Sequence, residues 1–109
     1  MAYHKNLTLE RWQKFTLIEQ LANIGAGVSR ALSWKKRGEE GKSQRALERG
    51  LELFDLTIQD LRWQKRLKEI LRTREIVCDY FFGKNKFQST PEAIDKYFLR
   101  FAVAARRKK

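Results

Sequence analysis

Side chains that commonly carry catalysis or bind metals are scarce in this sequence. It has one histidine, His4, and one cysteine, Cys78, so a single chain assembles neither a zinc cluster nor a cysteine–histidine nucleophile pair. Glu48, Glu52 and Asp55 recur at helical spacing, but basic residues flank them and no histidine accompanies them, so surface ion pairs are the expected role. We therefore expect a protein that is not an enzyme, with no metal and no cofactor; carboxylates assembled between subunits are the remaining route to catalysis.

The segment Gly25–Gly27 is not a phosphate-binding loop. It lies within a helical pattern, and the Lys-Ser/Thr pair that completes such a loop does not follow it. Small residues on a helix allow a second helix to approach closely, which is the role we expect here. Cys78 falls on an apolar helical face, which favours an inert core thiol over a reactive one.

Positive charge is the most informative property of the chain. Lys and Arg number 24 against 13 Asp and Glu, giving a net charge of +11 and a pI near 10.2. A pI above about 9 is typical of nucleic-acid-binding domains, and +11 exceeds the magnitude of roughly 2–8 common for small domains. Nucleic acid is the favoured partner, with RNA weakly preferred over DNA. An acidic protein, an anionic membrane or simple solvation of the fold are the alternatives, and a membrane is not among the expected partners.

The basic residues fall into three clusters. The candidate nucleic-acid-binding residues are Arg30, Lys35, Lys36, Arg37, Lys42, Arg45 and Arg49 around one turn, Arg62, Lys65, Arg66, Lys68 and Arg72 along a third helical segment, and Arg106 and Arg107 in a basic tail. At about 100° per residue, Lys65, Lys68 and Arg72 share one face, with Arg62 and Arg66 on the adjacent strip. This positive ridge could follow a phosphate backbone.

Several aromatic and basic side chains need a structural context before a role can be chosen. Trp34 and Phe87 lie among lysines and arginines and are candidates for exposed aromatic contacts, whereas the helical angle of Trp63 favours core packing. Arg74 falls on an inner helical face. It needs a carboxylate, for which Asp55 is a candidate, unless its side chain reaches the surface.

The elements that must position these residues are all helical, because apolar residues recur at three and four and no segment alternates with period two. Thr16 and Glu19 have capping-box spacing, which starts a long helix ending near Arg37 before Gly38. Ser43 is the expected cap of the second helix. The inner faces that follow from the spacing are Leu17, Leu21, Ile24, Val28, Ala31 and Leu32 for the first helix, and Leu47, Leu51, Phe54, Ile58 and Leu61 for the second.

A third segment presents Leu67, Ile70, Leu71, Val77, Cys78 and Phe81 and ends at Gly83. Its separation from the second near Gln59–Trp63 is undecided, with a tight turn favoured over one continuous helix. Thr90, Pro91 and Glu92 give the clearest helix start in the chain. The expected core comprises Leu21, Ile24, Leu51, Phe54, Ile70, Val77, Phe98 and Phe101.

Together these patterns predict an all-α fold, an antiparallel four-helix bundle with a short extra amino-terminal helix over residues 9–15, capped by Thr8. One domain spans residues 1–109, with residues 1–7 and 106–109 flexible. The single cysteine, the lack of an apolar leader and the lack of a membrane span favour a cytoplasmic location. Amphipathic helices rich in aromatics favour a homo-oligomer.

Residues 23–30, Asn-Ile-Gly-Ala-Gly-Val-Ser-Arg, resemble the Asn-Ile-Ala-Glu-Gly-x-x-Arg segment of the four-helix-bundle proteins encoded in 23S rRNA intervening sequences. Gly25 and Ala26 stand where that family has Ala and Glu. In size, charge and helical pattern the chain is also similar to the related accessory variability determinants of diversity-generating retroelements. That resemblance implies a pentameric, barrel-like bundle that binds a reverse transcriptase and its RNA. A protein-interaction scaffold that docks an acidic partner without nucleic acid is the alternative function.

Overall fold

The computed structural model describes residues 9–107, and within that range every regular element is a helix. The elements are α1 Leu9–Trp12, α2 Leu17–Lys36, α3 Glu40–Ile58, a 3₁₀ helix Leu61–Arg66, α4 Leu67–Phe82 and α5 Pro91–Arg107. The chain is therefore an all-α helical bundle with four long helices, as the apolar periodicity predicts. The expected short first helix is α1; its expected cap, Thr8, and the expected flexible residues 1–7 lie outside the described residues.

Both ends of α2 are determined by the residues that the sequence singles out. The Glu19 amide donates to Thr16 Oγ1 at 3.2 Å, and the Thr16 amide donates to Glu19 Oε1 at 2.8 Å, so the capping box is complete. At the other end Gly38 has φ of +77°, which residues with a Cβ rarely adopt. The chain reverses there, and α3 returns along α2.

The predicted start of α3 is wrong by four residues, because the N-cap residue is Glu39 rather than Ser43. The helix begins at Glu40, and its N-cap residue, Glu39, makes no side-chain capping bond. Ser43 is instead buried inside the first turn, where its hydroxyl donates to the Ala31 carbonyl at 2.8 Å. The Ser43 hydroxyl therefore bonds to a carbonyl of α2 and does not cap α3.

The chain does turn between the second and third segments, as favoured. α3 ends at Ile58, the buried Asp60 accepts the Arg62 amide at 3.1 Å, and the 3₁₀ helix follows with non-helical backbone angles at Trp63. Leu61 is consequently 77% exposed, so its predicted place on the inner face of α3 is wrong. Leu71, expected inside on the third segment, is also exposed.

The start of α5 is confirmed, because the Ala93 amide donates to Thr90 Oγ1 at 3.0 Å ahead of Pro91. The end differs from the expectation. Helix α5 continues through Arg107, so Arg106 and Arg107 are helical rather than part of a flexible tail. The last two residues, 108–109, lie outside the described part of the chain.

Helix α2 is central, packing most extensively against α3 and α5, while α4 lies against α3. The predicted core is buried except for Leu51, which is half-buried. Gly25 is the tightest point: a Cβ placed there would lie 2.6 Å from Phe98 Cβ. The expected close helix approach at the small-residue segment is confirmed on both sides of α2, with Gly25 facing α5 and Gly27 facing α3.

Candidate nucleic-acid interface

Helices α2 and α3 meet at a glycine on each helix, Gly27 and Gly50. A Cβ on Gly27 would lie 3.5 Å from the Gly50 Cα, and one on Gly50 would lie 3.5 Å from Val28 Cγ2. The bond from Ser43 to the Ala31 carbonyl fixes the register further along the pair. Because no side chains separate the two backbones at these glycines, the long side chains beside the contact on α2 and on α3 lie close together at the surface.

A groove of about 210 Å³ runs along this strip. Gly27 and Ala46 form its floor, and its walls are almost entirely cationic. The wall residues are Arg30 and Trp34 from α2, and Lys42, Arg45 and Arg49 from α3. No acidic side chain is among these lining residues, so four cations and one indole from two helices surround one concave surface.

Trp34 is half-buried in the groove wall rather than freely exposed. Lys42 Nζ lies 4.5 Å from the centroid of its ring, and Arg37 Cζ lies 5.3 Å from it. Cation–π contacts of this kind are worth about 0.5–1 kcal/mol at exposed sites. The indole therefore orients two cations at the Gly38 turn and is itself partly covered, which differs from the expected open aromatic contact.

The two lysines near Trp34 make only long contacts with carboxylates. Lys42 Nζ is 3.9 Å from Glu39 and Lys35 Nζ is 4.0 Å from Glu40, both long contacts between solvent-exposed groups. Such pairs contribute about 0–1 kcal/mol and exchange readily for another anion. Arg30 and Arg45 form no ion pair with any residue in the range 9–107, and Lys36 is exposed at the end of α2.

The predicted ridge on the third segment is divided by the 3₁₀ helix. Lys68 and Arg72 remain one turn apart on an exposed face of α4, but Lys65 precedes the helix and its direction no longer follows from 100° per residue. Arg66 pairs with Glu69 at 3.2 Å. The sequence-predicted face of three cations is thus reduced to two on a regular helix.

Arg62 is bound to a buried carboxylate. Its Nη2 lies 2.6 Å from Asp60 Oδ2, and its Nε lies 3.0 Å from Asp60 Oδ1, while the Asp60 side chain is only 1% exposed. The hydrogen bonds from the Arg62 guanidinium lower the pKa of Asp60, and the same pairing raises the pKa of Arg62. A guanidinium held in this way is poorly placed to bind a phosphate, although the sequence grouped it with the ridge.

Asp60 belongs to a buried polar network that the sequence reading did not identify. Gln20 Nε2 donates to the Trp12 carbonyl at 3.0 Å and approaches Asp60 Oδ2 at 3.4 Å, while Gln20 Oε1 accepts from Trp63 Nε1 at 3.0 Å. Trp12 Nε1 donates to Thr57 Oγ1 at 2.9 Å. The available signal was Gln20 itself, a polar residue at an inner-face position between Leu17 and Ile24.

Arg74 is paired with the expected partner. Its Nε lies 3.2 Å from Asp55 Oδ1, but the N–H does not point along that line, so the contact is electrostatic without an aligned hydrogen bond. The Arg74 side chain is 34% exposed, so it is both paired and partly at the surface. Nearby, burial raises the pKa of the half-buried Cys78 thiol, which makes the nucleophilic thiolate scarcer.

Arg106 and Arg107 are exposed at the end of α5, and Arg106 lies across a shallow cleft from Glu19 and Asn23. This cleft lies between α2 and α5, whereas the cationic groove lies between α2 and α3, and the two share no lining residue. The third cluster is therefore separate from the α2–α3 groove. Only the first of the three predicted clusters contributes side chains to the groove. Of its seven residues, Arg30, Lys42, Arg45 and Arg49 line the groove, and Lys35, Lys36 and Arg37 do not.

The protein is thus an all-α bundle with a cationic groove between α2 and α3. Comparison with protein-family models, curated proteins and solved structures finds no significant match for this chain. Over residues 9–107, no three His, Cys, Asp or Glu side chains are grouped so as to hold a metal ion. None of the helices in that range is long and apolar enough to cross a membrane.

Proposed function

We propose that the protein binds nucleic acid through backbone phosphates, in the groove between α2 and α3. The observation that carries the proposal is the convergence of Arg30, Lys42, Arg45 and Arg49 on one groove around Trp34, with no acidic lining residue. A row of cations contributed by two helices matches the repeating charge of a phosphodiester chain better than it matches a single small anion.

The side chains of the groove differ in what they offer a phosphate. Arg30 and Arg45 each present a planar guanidinium that can donate two parallel hydrogen bonds to one phosphate group. Lys42, held over the indole of Trp34, acts as a point charge whose position is restrained before binding. Because none of these contacts reads a base edge, affinity should depend on salt far more than on base sequence.

RNA is the nucleic acid that the sequence resemblance favours. Residues 23–30, which resemble the intervening-sequence bundle proteins, form the part of α2 that carries Gly27 and Arg30 into the groove. On this proposal the protein is a cytoplasmic RNA-binding accessory subunit, and a reverse transcriptase is the protein partner that the resemblance implies. RNA and DNA oligonucleotides of identical sequence, single-stranded and duplex, are the probes that separate the possibilities.

The proposal is tested by fluorescence anisotropy of labelled 20-nucleotide RNA and DNA titrated with nuclease-treated protein from 50 to 300 mM KCl. The expected result is binding whose log K falls linearly with log salt, with a slope near −3 for about four neutralised phosphates on a single strand. Intrinsic tryptophan emission should change on binding, and the change should be lost in Trp34→Phe but kept in Trp63→Phe.

The scaffold alternative predicts a different outcome of the same experiment. An interaction module that docks an acidic protein would give no saturable signal with any oligonucleotide at 50 mM KCl. Protein purified without nuclease would then also lack excess absorbance at 260 nm. Either observation would remove the nucleic-acid proposal.

A further inference from the structure

The outward face of α5 carries exposed apolar side chains that the rest of the described chain does not cover. Leu99 is 57% exposed and Val103, one turn later, is 39% exposed. The positions of this face are set by the inner face of the same helix, because Ile94, Phe98 and Phe101 are buried against the bundle. An exposed leucine and valine one turn apart form a stripe of the kind that a partner helix covers.

Leu99 stands between two grooves. On one side a cleft of about 520 Å³ separates it from α2, where Gly25, Ala26 and Ser29 leave little side-chain bulk. On the other side a shallow depression of about 720 Å³ follows α5 past Val103 and Ala104. A ridge flanked by grooves is self-complementary, because the ridge of one molecule can enter the groove of another.

Two residues of opposite charge flank Leu99 at equal spacing along the same side of α5, with one acidic and one basic residue, Asp95 and Lys96, between Glu92 and Leu99. Glu92 precedes Leu99 by seven residues and Arg106 follows it by seven, so all three lie within about 40° on one side of the helix. Both charged residues are exposed. Two α5 helices crossing antiparallel at Leu99 would therefore place Glu92 of each molecule beside Arg106 of the other.

We propose that the outward face of α5 is a self-association surface, on which two copies of this chain pair antiparallel about Leu99. Leu99 and Val103 form the apolar centre, and two Glu92–Arg106 pairs set the direction and register. A parallel pair would instead bring Glu92 to Glu92 and Arg106 to Arg106. Like charges in both places disfavour the parallel arrangement, so a second copy binds in the antiparallel orientation.

Analytical ultracentrifugation of nuclease-treated protein at about 100 μM and 150 mM KCl tests the proposal. At this ionic strength the repulsion between two +11 molecules is screened beyond about 8 Å. The wild type is expected at the mass of a dimer and Leu99→Asp at the mass of a monomer. Leu71→Asp changes a comparably exposed leucine on α4 and should remain dimeric, and circular dichroism confirms that each variant is folded.

Charge reversal tests the antiparallel register. Glu92→Arg and Arg106→Glu should each raise the dimer dissociation constant at least tenfold, and the double variant should recover to within about threefold of the wild type. Leu99→Cys in a Cys78→Ala background should also cross-link to a dimer under mild oxidation. A monomeric wild type, a higher oligomer unaffected by Leu99→Asp, or a double variant weaker than both single variants would each overturn the proposal.

Discussion

Two arginine environments in this bundle look alike in the sequence and differ in the structure. Arg45 lines the α2–α3 groove and makes no ion pair within the described residues, whereas Arg62 forms short contacts with a carboxylate that is 1% exposed. The sequence places both residues in basic clusters. The difference shows that the availability of a cation for a phosphate depends on where the nearest carboxylate is buried, which helical periodicity does not report.

Substituting Arg62 or Arg45 should change the free energy of unfolding by very different amounts, and the change at Arg62 is the largest effect that we expect. Arg62→Ala leaves the buried Asp60 carboxylate without its ion-pair partner and should lower the free energy of unfolding at pH 7 by about 3 kcal/mol. Arg45→Ala removes an exposed side chain and should change it by less than about 0.5 kcal/mol. Urea unfolding followed by circular dichroism measures both. Equal effects of the two substitutions would contradict the distinction.

The Asp60–Arg62 pair should also give stability a dependence on acid pH. Hydrogen bonds from Arg62 hold the pKa of Asp60 in the folded state below the ordinary value of an aspartate, so the ionised carboxylate stabilises the fold above about pH 4. That contribution should be lost as pH falls below 4 through the folded-state pKa. Urea midpoints between pH 7 and 2.5 should fall less steeply in Asp60→Asn than in the wild type. Parallel curves would assign acid unfolding to other carboxylates.

The two glycines on opposite faces of α2 should respond differently to alanine. Gly25→Ala forces a Cβ to within 2.6 Å of Phe98 and should destabilise the bundle by about 1–3 kcal/mol. Gly27→Ala meets Gly50 at an ordinary 3.5 Å, and the gain in helix propensity should keep the change within about 1 kcal/mol of the wild type. Thermal melts of the two variants give the comparison. Greater destabilisation by Gly27→Ala would contradict the packing described for α2.

A smaller effect is expected at Arg74. Full burial would make Arg74→Ala cost about 3–5 kcal/mol, but the side chain is 34% exposed and Asp55 is 55% exposed, so about 0.5–1 kcal/mol is expected. Asp55→Asn is the matched variant from the other side of the pair and should cost a similar amount. A double-mutant cycle by urea unfolding measures the coupling, and a coupling above 2 kcal/mol would indicate a more deeply buried pair.

The sequence predicts well the features that depend on local chemistry. Thr16 with Glu19 starts α2, Gly38 ends it and Thr90 caps α5, because each involves groups within three or four residues of one another. Ser43 is the exception. Its hydroxyl bonds to Ala31, twelve residues away, and that tertiary bond has no local signature.

For the candidate site, the sequence predicts which basic residues lie together but not that they line a groove. The sequence places Arg30, Lys42 and Arg45 in one cluster, because Gly38 reverses the chain between them. It does not reveal that Gly27 meets Gly50, which closes the helix pair beneath these side chains and makes a groove. The sequence also does not reveal that a 3₁₀ helix divides the predicted ridge of Lys65, Lys68 and Arg72. That helix begins at the buried Asp60, and apolar spacing does not indicate it.

Two variants with equal changes in charge test whether the α2–α3 groove is the nucleic-acid interface. Arg30→Ala/Arg45→Ala removes two cations from the groove, and Lys68→Ala/Arg72→Ala removes two from the exposed face of α4. RNA binding measured by anisotropy over a KCl series should lose about 1.4 units of slope in log K against log salt for the groove variant, and less than about 0.5 units for the α4 variant. Unchanged affinity and slope in the groove variant, with a loss in the α4 variant, would contradict the assignment of the site to the α2–α3 groove.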